Sequence, residues 1–214
     1  MYKHIIFDFD GTIADSAAAI LTIYNEMAAQ YRFKPVTEEE YKKLSKLTLH
    51  ERFKTLGVPF YRFMLFRKIS IEFKRKYNKH VASIPFCSGM QEVLSHLLQS
   101  GIKLSVITSN AANNVADFLH PHGIHALHDI RSSNGLFGKH KTIQSYLKEN
   151  QLRPEDVIYV GDELRDIVAS HKCGIKVVAV TWGLDPKELL ISGKPSYLID
   201  QPNELLHLIQ STSS

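Results

Sequence analysis

Short apolar runs that alternate with helical stretches restrict this chain more than any other feature. Ile5-Ile6-Phe7, Leu104-Ser105-Val106-Ile107, Val157-Ile158-Tyr159-Val160 and residues 177–181 are each too short for a helix and are rich in β-branched side chains. Between them, residues 90–100, closed by Gly101, residues 111–119, 142–150 and 166–173, closed by Gly174, carry apolar positions at helical spacing. Residues 124–130 read as a short strand region, residues 197–199 as a last strand and residues 204–209 as a closing helix. Strands that alternate with helices pair in parallel, with helices covering both faces of the sheet. The predicted fold class is therefore α/β, a Rossmann-like parallel sheet core.

One segment breaks the alternation. Residues 17–31, 37–44, 50–56 and 60–80 all show helical patterns, with Asp15 or Ser16 as N-cap of the first and a Thr37/Glu40 capping box opening the second. Residues 15–85 hold 14 Lys or Arg against 7 Asp or Glu, whereas the remainder holds 12 against 15. Pattern and charge together predict a core made of residues 1–14 and 86–214, with a small all-helical domain, residues 15–85, inserted into it.

In an open parallel sheet, ligands bind beyond the carboxyl ends of the strands. Three predicted strands end in polar clusters: Asp8-Phe9-Asp10-Gly11-Thr12, Thr108-Ser109-Asn110 and Gly161-Asp162-Glu163. A sheet brings these distant segments together. Asp8 and Asp10 pose a local problem, since side chains two apart on a strand face the same way and two carboxylates there repel unless the backbone turns between them.

The remaining chemistry-bearing residues are bland. Cys87 and Cys173 occupy no CxxC or Cys/His metal spacing and read as small buried hydrophobes in a reducing compartment. His120, His122, His125 and His128 cluster without metal-ligand spacing and read as surface. No secretory signal and no membrane-spanning apolar stretch is present, so the expected location is cytoplasmic, with no membrane partner. A net charge of +4 and the basic insert come with no nucleic-acid-binding motif, and no nucleic-acid partner is expected.

DFDGT after the first strand, a strand ending in TSN, a lysine before a helix, and GDELRD after another strand resemble, in this order, the four motifs of haloacid dehalogenase-like (HAD) phosphatases. The resemblance covers nearly the whole chain and is to the phosphoglycolate phosphatase-like branch, whose helical cap is inserted between the first two motifs. It implies a Mg2+-dependent phosphatase that hydrolyses a small phosphate monoester through an aspartyl-phosphate. Asp8 matches the nucleophile, and a carboxylate needs no deprotonation for that role at neutral pH. Asp10 matches the general acid and base. The resemblance implies that Mg2+ is held by the Asp8 and Asp162 carboxylates and the Asp10 carbonyl, which removes the repulsion between the acids. Asp166, four residues on, would share a face with Asp162 on a starting helix and hold a metal-bound water. Glu163, where the family often has a small residue, is either a further group around the metal or an acid favoured by the helix dipole.

The same resemblance makes Thr108 the second-motif hydroxyl and places phosphate on amides near Ser109, Asn110, Gly11 and Thr12, with Gly11 permitting a sharp turn. Lys139, directly after Phe137-Gly138, is the favoured motif lysine and Lys141 the alternative. Arg165 reads as a partner of a nearby acid, with a substrate contact as the alternative. In relatives the cap closes over the core about hinges near Asp15 and near residues 84–89. Arg52, Tyr61, Arg62 and Arg67 are candidate substrate contacts, though a basic helix has many side chains that only face solvent. A β-phosphoglucomutase-like phosphotransferase and a non-catalytic binding protein of the same fold are the competing readings. A dehalogenase has no use for Asp10 or Mg2+, and retention of all the motif residues speaks against a non-catalytic chain. A monomer or homodimer is expected.

Overall fold

A computed structural model describes residues 2–44, 46–58, 62–133 and 138–211 of the 214-residue chain. The chain divides into two compact units, Met1–Asp15 with Pro85–Ser214, and Ser16–Ile84. In the first, β1 (His4–Phe7), β2 (Lys103–Thr108), β3 (Asp129–Ser132), β4 (Val157–Gly161), β5 (Lys176–Val180) and β6 (Tyr197–Ile199) form one sheet in the order β3-β2-β1-β4-β5-β6. All neighbours are parallel. The second holds α1 (Ala17–Tyr31), α2 (Glu38–Leu44), α3 (Leu49–Thr55) and α4 (Phe63–His80). Returning to the first unit, α5 (Met90–Gln99), α6 (Ala112–Leu119), α7 (Lys139–Glu149), α8 (Leu164–Lys172), α9 (Lys187–Ser192) and α10 (Asn203–Ser211) complete the chain.

The strand order reverses at β1. The chain runs outward from β1 through β2 to β3, then crosses back to pair β4 with the other side of β1. Such a switch point leaves a crevice at the carboxyl ends of β1 and β4, the ends that carry Asp8 and Asp162. Ile5, Ile6 and Phe7 are all fully buried, as expected of a central strand with both faces covered. Each contributes about 1.5–3 kcal/mol of burial. Ile6 joins Ile107, Ile143, Tyr146, Tyr159 and Val177 in one core cluster, so the strand that leads into Asp8 is anchored in the core of the unit.

Several boundaries differ from expectation for local reasons. Gly123 adopts a left-handed conformation and the Ile124 N–H donates to the Leu119 carbonyl at 3.2 Å, so that segment closes α6 and the strand begins only at Asp129. Helix α7 starts three residues before the expected 142, because the Lys141 and Thr142 N–H groups already donate to Gly138 O. Helix α8 starts at Leu164 rather than 166, since Glu163 and Asp166 form a capping box. Helix α9, six residues after Pro186, was not anticipated; it is too short to show a periodicity.

The helical unit is tied by polar contacts between its own elements. The Asn25 amide exchanges two hydrogen bonds of 2.8 Å with the Val36 backbone, and Lys76 meets Glu26 at 2.6 Å. Thr48 and Glu51 form a capping box at the start of α3. Arg52 donates through Nε to the Leu44 and Leu47 carbonyls, a structural use for one candidate substrate contact, while Arg62 and Arg67 are exposed. Tyr61 and Phe137 lie outside the described residues. No helix among the described residues is long and apolar enough to cross a membrane.

Helix α7 is fixed to the sheet by a buried polar chain. His4 Nε2 lies 3.1 Å from Ser105 Oγ, which lies 2.7 Å from Tyr146 Oη. Burial pushes the His4 imidazole down to about 4, assisted by the charges of His128 and Lys103 against that of Asp129. Because this folded value lies below the ordinary 6.5, the unfolded chain binds the proton first. The stabilisation is complete above pH 6.5 and is lost as pH falls from there towards 4. Lowering the pH from 7 to 5 is expected to remove about 2 kcal/mol through this group. Urea unfolding of the wild type and His4→Gln at both pH values checks it, and equal pH dependence in the two proteins contradicts it.

Candidate active site

The first motif leaves the sheet through a tight turn. The Asp8 N–H still donates to Val160 O at 2.8 Å, extending the β1–β4 ladder by one residue. Phe9 then points into the core, edge-on to Phe118 with ring centroids 5.2 Å apart, and its carbonyl accepts from the N–H groups of Thr12, Ile13 and Ala14. Gly11, at φ 76°, closes the turn by donating to Ala14 O at 2.8 Å. The backbone therefore turns between the two aspartates, and their carboxylates go to different partners. Asp8 is 1% exposed, with Oδ1 accepting from the Phe9 N–H and Oδ2 from Lys139 Nζ at 2.7 Å. Asp10 Oδ2 accepts from Asn110 Nδ2 at 3.0 Å.

The second motif supplies that asparagine. Thr108 is fully buried at the end of β2, and its Oγ1 accepts from the Asn110 N–H at 3.0 Å. Asn110 Oδ1 accepts from the Ala111 N–H and from Asn114 Nδ2, so the side-chain amide is oriented with its NH2 group towards Asp10. The amides of Gly11, Thr12 and Asn110, expected to face phosphate, are taken up by Ala14 O, Phe9 O and Thr108 Oγ1. The structure gives Asn110 a different use, as the partner of Asp10.

Lys139 opens α7 and is 2% exposed, with its Nζ between Asp8 and Asp166, whereas Lys141 is exposed. Burial alone would lower the Lys139 pKa, but the charges of Asp166 and Asp8 outweigh it and raise the value. Asp166 accepts from Lys139 through Oδ1 and from the Glu163 N–H through Oδ2. It caps α8 and holds the lysine. The sequence expectation put it on one helical face with Asp162, but Asp162 precedes the helix. Glu163 is the N-cap and pairs with Arg165.

Asp162 is fully buried, and both of its carboxylate oxygens are engaged. Oδ1 accepts from Thr12 Oγ1 at 2.8 Å and Oδ2 from the Leu184 N–H at 2.7 Å. A Cβ at Gly183 would lie 2.2 Å from Asp162 Cβ, and one at Gly11 2.1 Å from Asp162 Oδ2, so only glycine leaves the carboxylate its place. Burial, then the charges of Glu163, Asp8 and Asp166, hold this carboxyl well above the usual carboxylate range. Burial likewise raises Asp166 to about 7, against the pull of Lys139. Asp8, Asp162 and Asp166 each place a carboxylate oxygen within 4.8 Å of the others. Three crowded carboxylates, those of Asp162 and Asp166 with raised pKa values, are all hard oxygen donors and fit a divalent cation, whose charge offsets the cost of holding them together.

The family model described as haloacid dehalogenase-like hydrolase matches residues 5–180 of the chain. This protein belongs to the haloacid dehalogenase-like hydrolases. It is 27% identical over 207 residues to the phosphoglycolate phosphatase of Synechococcus elongatus, covering 96% of both chains. It is 23% identical over 209 residues to the pyrophosphatase PpaX of Bacillus mycoides, covering 96% of this chain and 95% of that one. A hydrolase of the same family from Streptococcus pneumoniae superposes with a TM-score of 0.81 at 22% identity, covering 97% of this chain and 98% of that one.

This HAD-like hydrolase also uses a fourth strand end that the sequence did not reveal. After β5, the loop Thr181-Trp182-Gly183-Leu184-Asp185 donates Leu184 N–H to Asp162 and Trp182 Nε1 to Thr12 O at 3.2 Å. The Leu164 N–H, at the start of α8, donates to Asp185 Oδ2 at 2.8 Å. A Gly-containing cluster directly after an apolar run was the available signal. Replacing Lys139 by Met removes the ammonium that pairs the buried Asp8 and Asp166 and is expected to cost about 3 kcal/mol. Lys141→Met is expected to change stability by less than about 0.5 kcal/mol. Denaturant unfolding of both variants without added metal decides this, and equal losses contradict the assignment of the buried lysine.

Proposed function

We propose that the protein is a Mg2+-dependent phosphatase that hydrolyses a small, phosphoglycolate-like phosphate monoester through an aspartyl-phosphate on Asp8. The observation that carries this reading is the position of Asp8 at the end of the central strand, with Lys139 on one oxygen and Asp162 nearby. The names of the phosphoglycolate phosphatase and pyrophosphatase relatives support a phosphorus centre as the target. In this reading residues 1–14 and 86–214 are the catalytic core domain and residues 15–85 the cap domain.

The Asp8 and Asp162 carboxylates and the Asp10 carbonyl would hold Mg2+, which supplies positive charge to the phosphoryl oxygens as negative charge develops on them. Asp8 attacks phosphorus with a carboxylate oxygen. As that bond forms, the ester P–O bond breaks and Asp10 gives its proton to the departing oxygen. Asn110 keeps the Asp10 carboxyl turned to the site, because its own amide is fixed by Ala111 and Asn114. Asp10, now ionised, takes a proton from a water that attacks phosphorus and releases phosphate from Asp8. Lys139 holds Asp8 Oδ2 and adds a fixed charge beside the reacting group. Asp166 holds Lys139 in place, and Thr108 holds the Asn110 backbone.

With p-nitrophenyl phosphate and Mg2+, the wild type is expected to turn over and Asp8→Asn to have no activity while remaining folded. Asp10→Asn is expected to bind but to be slower by roughly a hundredfold or more. Full activity in Asp8→Asn, or a wild type inactive on every phosphate ester offered, contradicts the reading. Wild-type rates in Asp10→Asn remove Asp10 from it.

A further inference from the structure

Strands β2 and β4 flank β1, and a side-chain strut joins the loops at their carboxyl ends. Glu163, 5% exposed, accepts from Arg165 Nε at 2.7 Å and also from its Nη2. The same Nη2 donates to Ser109 Oγ at 3.4 Å. The guanidinium of Arg165, in the first turn of α8, thus links Glu163 in the loop after β4 to Ser109 in the loop after β2. A serine hydroxyl rotates freely unless a partner fixes it, and it has one hydrogen to give. When its oxygen accepts from a guanidinium, that hydrogen is turned away from the cation and towards an acceptor on the other side.

We propose that Arg165 is a positioning residue that, anchored by Glu163, orients the Ser109 hydroxyl to donate to the substrate's phosphoryl oxygen. The proposal rests on the phosphatase reading above. Arg165 is suited to the part because its planar fork holds two partners in a fixed geometry, which a lysine ammonium on a flexible stem does not. Glu163 serves the strut twice, as N-cap of α8 and as the anchor that keeps the guanidinium from swinging into solvent.

The test is a cycle of Arg165→Met, Ser109→Ala and the double variant, with Arg165→Lys beside them. Two quantities are read: the affinity for inorganic phosphate in the presence of Mg2+, by calorimetry, and the KM and kcat for p-nitrophenyl phosphate. A lost hydrogen bond to a charged group predicts about tenfold weaker phosphate binding in each single variant. KM should rise about as much and kcat change less. The double variant should be no worse than the weaker single, since both remove the same contact. Arg165→Lys keeps the charge and should show the Arg165→Met loss, so a Met variant that fails to fold leaves the test intact. Arg165 variants within twofold of the wild type overturn the proposal, and so do losses that multiply in the double variant. A wild type that binds phosphate but hydrolyses no ester contradicts the phosphatase reading, while the binding cycle still judges the strut.

Discussion

The buried ammonium of Lys139, shared by Asp8 and Asp166, is the contact on which the site depends. Three carboxylates gathered within 4.8 Å, two just after adjacent strands and one in the first turn of α8, repel one another, and burial amplifies that repulsion. Lys139, with Arg165 beside Glu163, offsets part of it, and the excess negative charge left over is what makes the place attractive to a metal ion. Two helices serve this arrangement. Helix α7 begins at Lys139 and is locked to β1 and β2 by Tyr146, Ser105 and His4. Helix α8 begins where the carboxylate of Asp166 caps it, so one side chain both starts the helix and receives the lysine.

The turn after β1 separates two acids that a straight strand would have pointed the same way. Phe9 anchors the turn in the core and accepts three N–H groups, and Gly11 supplies the left-handed residue. Asp8 then faces Lys139, while Asp10 faces Asn110 at the end of the neighbouring strand. Glycine at positions 11 and 183 lets Asp162 lie against the turn from one side and the β5 loop from the other. Two carboxylates of the same type thereby receive the different surroundings that different chemical parts require.

Much of this was legible in the chain because it is written in local patterns. The apolar runs gave the strands, and three of the four polar strand ends at the site were visible as clusters. The fourth, around Gly183, was missed because its contribution is backbone: a Leu184 N–H and an absent side chain leave little trace in residue type. Asn110 was read for its amide, but the structure uses its side chain, a choice set by Asn114 one turn later and by Asp10 in another segment. Arg165 was recognised as the partner of an acid, yet its reach to Ser109 depends on β2 and β4 lying on either side of β1. Local periodicity could place neither long-range pairing nor the start of α7, which depends on Gly138 O.

The central claim is that Asp8 itself carries the phosphoryl group. Quenching the enzyme during turnover of p-nitrophenyl phosphate and reducing it at once with borohydride converts an aspartyl-phosphate, and no free carboxylate, to homoserine. Peptide mass spectrometry should then find homoserine at position 8 and an unaltered Asp10. Unaltered Asp8 in an enzyme that is turning over, or homoserine at another aspartate, would contradict the account.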